Sequence, residues 1–388
     1  MRLVAVGPFL LLFALMYSAF GAASPFLPAL IEAKGVPPEQ IGLMFGAATA
    51  IRLLSAPLAG RIADQTHALR ETLAACCVAT ALAALAYQFV SGFWPLLAVS
   101  LLHALALAPT TNLADALALV ASRRQGFEYG WVRGAGSAAF IAASIAAGFA
   151  VSAFGFGVVV VLQAILMLAV PFALRAVPPV IDASTTNAIS RDGVLALLRL
   201  PVFRRVVFVA ALILGSHALH DTFSVIRWTN AGIPPQTASI LWSLAVAAEV
   251  VVFFLAGPWL LDRLGPGRAI GIAAVLGAVR WLVSALTLDL TAIVLIQPLH
   301  GVTFALLHLA CMRLLAICVP PQLAATAQAL YGTVGIGAAT ALLTVASGWL
   351  YSALGAQAFL VMSALCLGAL PLAFSLNGSA VRSTAGSD

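Results

Sequence analysis

Apolar positions run almost without interruption along this chain, broken only by short groups of Arg, Asp, Pro and Gly. A bilayer core about 30 Å thick takes roughly 20 apolar residues as helix, whereas a strand barrel would show alternating segments of about ten. The segments here are long and continuous. Breaks at charges, Pro and Gly predict helical spans near 6–31, 39–62, 71–91, 93–120, 129–153 and 155–175, then 203–228, 237–261, 268–288, 290–317, 323–351 and 356–376. The stretch 176–202 is the one long polar interruption and divides the twelve spans into six and six. The predicted fold is therefore an all-α membrane protein: a bundle over 1–175, a linker over 176–202 and a second bundle over 203–388.

Composition agrees with that pattern. Of the 388 residues, 63% are hydrophobic and 8% charged, where a soluble domain needs roughly a quarter charged to dress its surface. A cytosolic enzyme, a nucleic-acid binder and a secreted disulfide scaffold are excluded. The net charge of +6 comes from scattered arginines without an aromatic-flanked basic tract, so it reports orientation. The five cysteines have no metal-site or disulfide spacing and are expected to pack as small hydrophobes. Residues 1–31 run through Pro25 and Pro28 without a compact cleavage region, which predicts a first span and no removed signal.

Insertion retains basic loops in the cytoplasm. With both termini inside, the inner segments hold Arg2, Arg61, Arg70, Arg123, Arg124, Arg175, Arg191, Arg199, Arg204, Arg205, Arg263, Arg268, Arg313 and Arg382. The outer segments hold only Lys34 and Arg227. Both termini are therefore expected in the cytoplasm.

Three arginines, Arg52, Arg133 and Arg280, fall inside spans. A charge near the bilayer centre costs about 2.5–3.5 kcal/mol on insertion scales, so such groups face the protein interior or a wet cavity. With them stand His103 and Asp115 on span 4, His217, His220 and Asp221 on span 7, Glu249 on span 8, and His300 and His308 on span 10. Acids and bases fall on neighbouring spans in both halves, Asp115 with Arg133 and Glu249 with Arg280. Helical spacing puts His217, His220, Asp221 and Ser224 on one stripe, and Gln297, His300, Phe304 and His308 on another. Both stripes are expected to line a central cavity between the halves. No metal is expected, His103 is read as an interhelical hydrogen bonder, and Trp242 shares a face with Glu249. Gly42 with Gly46, Gly134 with Gly136, and Gly332, Gly335 and Ala339 are expected at close helix crossings.

The segment from Gly257 to Arg268, with Asp262 and Arg263 at its centre, resembles the G-x-x-x-D-R-x-G-x-R loop motif of the major facilitator superfamily. Gly60 to Asp64 is a degraded copy in the other half. In that family the loop pairs charges and helix ends on the cytoplasmic face, which implies a gating role for Asp64, Asp262, Arg263 and Arg268. Longer strings narrow the likeness: TNLADALAL at 111–119, YGWVRGAGSAAF at 129–140, GAVRWLVSAL at 277–286 and QPLHGVTFALLHLACMR at 297–313. Together with LWSLAVAAEVVVF at 241–253 and QALYGTVGIGAATALLTVASGWLY at 328–351, they resemble the phenylpropionate permease family of bacterial 3-phenylpropionic acid transporters.

The resemblance implies alternating access around a midplane site, with Asp115 and Arg133 at the substrate and Glu249, Arg280, His300 and His308 coupling to a proton. His217, His220, Asp221, Trp242 and Phe304 would complete the substrate lining. One departure is the segment 215–228, where His220, Asp221 and Arg227 replace uncharged residues of the family pattern and imply a more polar substrate. The expected function is proton-coupled symport of a small organic acid, aromatic in part, by a monomer in the bacterial inner membrane. A sugar or nucleoside symporter and a drug-efflux antiporter are the alternatives on the same scaffold. The expected partners are a small-molecule substrate, protons and the lipid bilayer, with no nucleic acid and no cofactor. No phosphate loop or nucleophile–base set supports an enzyme.

Overall fold

A computed structural model describes residues 2–178 and 191–376. The sequence-stretch 179–190 within the linker, and the tail that carries Arg382, lie outside the described residues. All regular structure among the described residues is helical. The helices are α1 Arg2–Ala23, α2 Leu27–Ala33, α3 Pro38–Thr66, α4 Leu69–Phe89, α5 Phe93–Gln125, α6 Tyr129–Phe154 and α7 Val158–Leu174. They continue as α8 Arg191–Arg199, α9 Pro201–Ile213, α10 His217–Asn230, α11 Pro235–Val251, α12 Gly257–Leu264 and α13 Pro266–Leu286. The last are α14 Leu290–Ile296, α15 Leu307–Cys318, α16 Ala324–Leu330, α17 Ala339–Leu354 and α18 Ala358–Gly368. Four of these, α3, α9, α11 and α13, open on a proline, whose fixed φ and missing N–H suit the first helical turn.

Ten helical runs among the described residues are long and apolar enough to cross a membrane, against the twelve spans expected. The difference has two sources. Val158–Leu174 has 17 residues, short for a full crossing, and the last two expected spans form one run, Pro321–Leu376, of 56 residues. That run is interrupted at Gly355, where φ is 55°. At roughly 1.5 Å per residue an unbroken helix of this length would far exceed the bilayer core.

Local structure corrects three further expectations. The motif segment around Asp262 is helical up to Leu264, and the chain turns at Gly265, whose φ of 74° a β-carbon would resist. Asp64 likewise sits inside α3, which runs on to Thr66. The expected span 203–228 is one apolar run, Pro201–Asn230, with a turn at 214–216 between α9 and α10, and part of the polar linker folds as α8.

Three π-helical segments, Val252–Ala256, Gly301–Leu306 and Tyr331–Ala338, interrupt the α-helical register. One follows Glu249 closely and another directly follows His300. Periodicity in the sequence carries no trace of them, because these segments are made almost wholly of apolar and small residues and have no polar stripe whose phase an extra residue would shift.

The chain forms two compact units, Met1–Thr185 with Val225–Ser243, and Thr186–Ser224 with Leu244–Asp388. In the first, α1 packs on α6 and α7, α5 on α3 and α4, and α4 on α7. In the second, α13 packs on α18, α15 and the segment Gly301–Leu306, and α9 packs on Tyr331–Ala338. Large apolar side chains remain uncovered along both, among them Leu54, Leu58, Leu295 and Leu342. The exposed Phe89, Trp94 and Phe154 cluster at helix ends, as in the aromatic belts of membrane proteins.

Of the glycines expected at close crossings, Gly136 and Gly335 meet a neighbouring helix, while Gly134 and Gly332 do not. A β-carbon on Gly134 or Gly332 would meet nothing within 4 Å, whereas one on Gly21 would lie 2.3 Å from the Phe140 carbonyl oxygen. Gly21 therefore sets the approach of α1 to α6. Replacing it with Ala should cost about 1–3 kcal/mol through overpacking. The melting temperature of the purified protein should fall for Gly21→Ala and hold for Gly7→Ala on the same helix, where the space is open.

Candidate functional site

Each unit carries one cluster of in-span charged groups. In the first, Asp115 on α5 meets Arg133 on α6, with Nη1 3.5 Å from Oδ1. Tyr129, one helical turn before Arg133, donates its hydroxyl to the same Oδ1 at 2.6 Å. The guanidinium also donates to the Tyr17 hydroxyl of α1 and lies 5.2 Å from the centre of that ring. Gly136 makes room for this contact, since a β-carbon there would press on the Tyr17 ring at 3.0 Å. Both partner contacts of Arg133 use Nη1. The side chain is 36% exposed, so Nη2 and Nε remain available as a donor pair.

The second cluster is built around Arg280 on α13, which is fully buried. Its Nη1 donates to Nδ1 of His300 at 3.0 Å, and its Nη2 donates to Nε2 of His220 and to Oε1 of Gln297, both at 3.3 Å. Guanidinium has no acceptor, so each imidazole must offer it a bare nitrogen. Both rings are then neutral, and their tautomers follow from geometry. His300 carries its proton on Nε2, which points at Glu249 Oε2 3.4 Å away. His220 carries its proton on Nδ1, which points at Asp221 Oδ1 3.3 Å away.

The arrangement is a two-armed chain, with a cation at the centre, a neutral imidazole on each side and a carboxylate at each end. Exposure is graded along it. Arg280 is closed off, His220 and His300 are 5% and 13% exposed, and Glu249 and Asp221 are 29% and 51% exposed. The expected Glu249 and Arg280 partnership is thus bridged by His300. Trp281 closes the cluster from behind, with Arg280 4.5 Å from its ring centre and its indole N–H on Ser216.

Local backbone brings these groups together. A β-carbon on Gly301 would lie 2.5 Å from the Ala248 carbonyl oxygen. Absence of that carbon lets the residue after His300 approach the residue before Glu249. His217 and His220 were expected to line a cavity and are instead buried. Nε2 of His217 lies 3.0 Å from the Thr303 hydroxyl, and its ring meets Trp281, His300 and Phe304 edge-on. Phe304 stacks on His300, with ring centres 5.4 Å apart. Asp221 of the same stripe is the member that faces solvent.

His308 stands apart, hydrogen-bonded to Tyr331 at 3.2 Å and stacked on Phe253. Trp242 lies on α11 seven residues before Glu249 and is half-buried. His103 bonds Gln163 of α7 at 3.0 Å and is a satisfied interhelical group. Among the described residues no three His, Cys, Asp or Glu side chains are grouped to hold a metal.

The MFS_1-like family matches the chain over residues 9–361. The chain belongs to this family of major facilitator transporters. It is 32% identical to the probable 3-phenylpropionic acid transporter of Escherichia coli K12 over 91% of this chain and 93% of that one. The maltose permease of Geobacillus stearothermophilus is 25% identical, over 88% of this chain and 86% of that protein. Among solved structures the nucleoside transporter NupG superposes with a TM-score of 0.79 at 19% identity, covering 96% of this chain and 98% of that one. The protein is a multi-pass membrane transporter of the major facilitator type and not an enzyme.

Within this major facilitator chain the motif residues make specific contacts. Asp262 pairs with Arg313 of α15, and Arg263 lies 4.5 Å from the centre of the Trp259 ring. Asp64 and Arg268 are exposed. Sequence reasoning missed Tyr17, Tyr129 and Gly301. The first two are among only five tyrosines, and Tyr129 shares a helix face with Arg133, which was a usable signal. Nothing local marked Tyr17.

The tautomer assignment is testable by imidazole ¹⁵N spectra of the histidine-labelled protein near neutral pH. His300 should appear as the Nε2–H form and His220 as the Nδ1–H form. Arg280→Gln, which supplies both a donor and an acceptor, should release that constraint. Two fully protonated rings in the wild type would overturn the assignment.

Proposed function

We propose that the protein is a proton-coupled symporter that takes up a small organic acid, aromatic in part, by alternating access in the bacterial inner membrane. In this reading the chain has twelve spans with both termini in the cytoplasm and works as a monomer, with protons and substrate as its partners and no nucleic acid. The charge asymmetry of its loops and the break at Gly355 support that topology. The 32% identity to a protein named for 3-phenylpropionic acid supports the substrate class.

The observation that carries the proposal is the chain Glu249–His300–Arg280–His220–Asp221. A proton arriving on Glu249 removes the anion to which His300 donates. A proton arriving on Nδ1 of His300 makes that ring a cation and forces it off Arg280, because both groups then only donate. The first event changes the partner of a ring bonded to the buried arginine, the second changes the arginine's own contacts, and the exposed carboxylates are the points of entry. Proton binding and the state of the bundle are thereby tied.

Substrate binding is assigned to the other cluster. The Nη2 and Nε of Arg133 suit a bidentate carboxylate. Asp115 and Tyr17 fix the guanidinium so that this edge is presented. Trp242 and Phe304 are assigned to an aromatic part of the substrate. Asp64, Asp262, Arg263 and Arg268 are assigned to gating, where the Asp262–Arg313 pair ties α12 to α15.

Uptake of 3-phenylpropionate into proteoliposomes should rise with an inward proton gradient and fall to equilibration when the gradient is collapsed. Equal accumulation in both conditions would rule out coupling. Glu249→Gln should retain substrate exchange while losing uphill accumulation.

Arg133→Gln should weaken binding of a carboxylate at least tenfold, and full retained affinity would remove its assignment. A second reading, a sugar or nucleoside symporter, is supported by the likeness to a maltose permease and to a nucleoside transporter. It requires that uptake ignore substrate carboxylates.

A further inference from the structure

Arg52 is the in-span arginine that neither cluster uses. It is the middle residue of α3, Pro38–Thr66, and so lies about 21 Å from either end at roughly 1.5 Å per residue. It is exposed. Among the described residues no acid lies within ion-pair distance of it, unlike Arg133, and no hydrogen-bond acceptor meets its guanidinium, unlike Arg280. The polar side chains that feel its charge are Tyr87 and His103. Both are satisfied elsewhere, Tyr87 on Ser100 and His103 on Gln163.

The direction of its exposure follows from helix geometry. Leu43, Leu54, Leu58 and Ile62 are the large apolar side chains that α3 leaves uncovered. With about 100° per residue they lie about 180°, 200°, 240° and 280° around the helix from Arg52, an arc centred on its far side. That side faces lipid. On Arg52's own side stand Ala48, Ser55, Ala59 and Ala63, all small and all buried against protein. The arginine is therefore open to solvent in the middle of a stripe that is otherwise packed. A permanently charged group at this depth needs water or an anion, and lipid supplies neither.

We propose that Arg52 is an anion-anchoring residue of the transport path, a second group beside Arg133 that makes the protein prefer a carboxylate over its neutral isostere. The proposal rests on the organic-acid reading above and adds a specificity determinant to it. Arg133 shares its charge with the acid partner Asp115, whereas Arg52 has no acid within ion-pair distance among the described residues, so the negative charge of a bound carboxylate is balanced by Arg52 in addition to its contact with Arg133.

The test compares 3-phenylpropionate with 3-phenylpropionamide, by calorimetry on the purified full-length chain. The wild type should bind the acid at least tenfold more tightly than the amide. Arg52→Gln should lose most of that preference, with the remainder due to Arg133, and Arg52→Lys should keep more of it. A preference unchanged in Arg52→Gln overturns the proposal while the organic-acid reading stands. Should that variant fold poorly, modification of wild-type arginines by phenylglyoxal decides: bound 3-phenylpropionate should shield Arg52, and equal labelling with and without the acid overturns the role. A wild type that binds neither 3-phenylpropionate nor benzoate overturns the organic-acid reading and this proposal with it.

Discussion

A guanidinium buried in the hydrocarbon layer can only donate hydrogen bonds and cannot shed its charge, and that constraint organises the second unit of this transporter. Every group that touches Arg280 must present a lone pair. Two of its neighbours are imidazoles, so both are held neutral and both are turned so that their protons point away from the arginine, toward Glu249 and Asp221. The surrounding packing serves the same end. Gly301 permits the approach that joins His300 to Glu249, Trp281 covers the cation, and Gln297 supplies a third acceptor. Remove the arginine from this account and neither the ring orientations nor the burial of three polar side chains has a cause.

The first unit solves the same electrostatic problem differently. Arg133 is paired directly with Asp115, and both are partly exposed, so water shares the cost of the charges. A half-exposed pair tolerates the arrival of another anion with little desolvation, whereas a closed hydrogen-bonded chain does not. Exposure thus separates a cluster suited to binding from one suited to responding to protons, even though the sequence presents both as an acid and an arginine on adjacent helices.

That similarity marks where the sequence was legible and where it was not. The helical spans, the charged residues within them and the pairing of Asp115 with Arg133 follow from apolar periodicity and from the cost of charge in lipid, which act locally and leave a pattern. The bridging of Glu249 to Arg280 by His300 does not, because it depends on a π-helical turn and on one glycine at a helix crossing. Tyr17 was invisible for a related reason: its partner lies 116 residues away, and only the packing of α1 on α6 brings them together. The motif around Asp262 was legible as chemistry but misjudged as a loop, since Gly265 alone supplies the turn that several residues were assigned to.

The π-helical segments bear on how such a chain can move. A π turn accommodates one more residue than the α-helix it interrupts, and each such turn is a site where the hydrogen-bond register can shift. One begins three residues after Glu249 and another immediately after His300. The two side chains that meet at the outer end of the chain from Arg280 are therefore each carried on a helix with an adjustable register. Loss of the Glu249–His300 contact on protonation would free both helices at their most deformable points, and the crossing at Gly301, with no side chain of its own, offers little resistance to sliding. Chemistry at the imidazole and deformability of the backbone fall at the same place, as the proposed proton coupling requires.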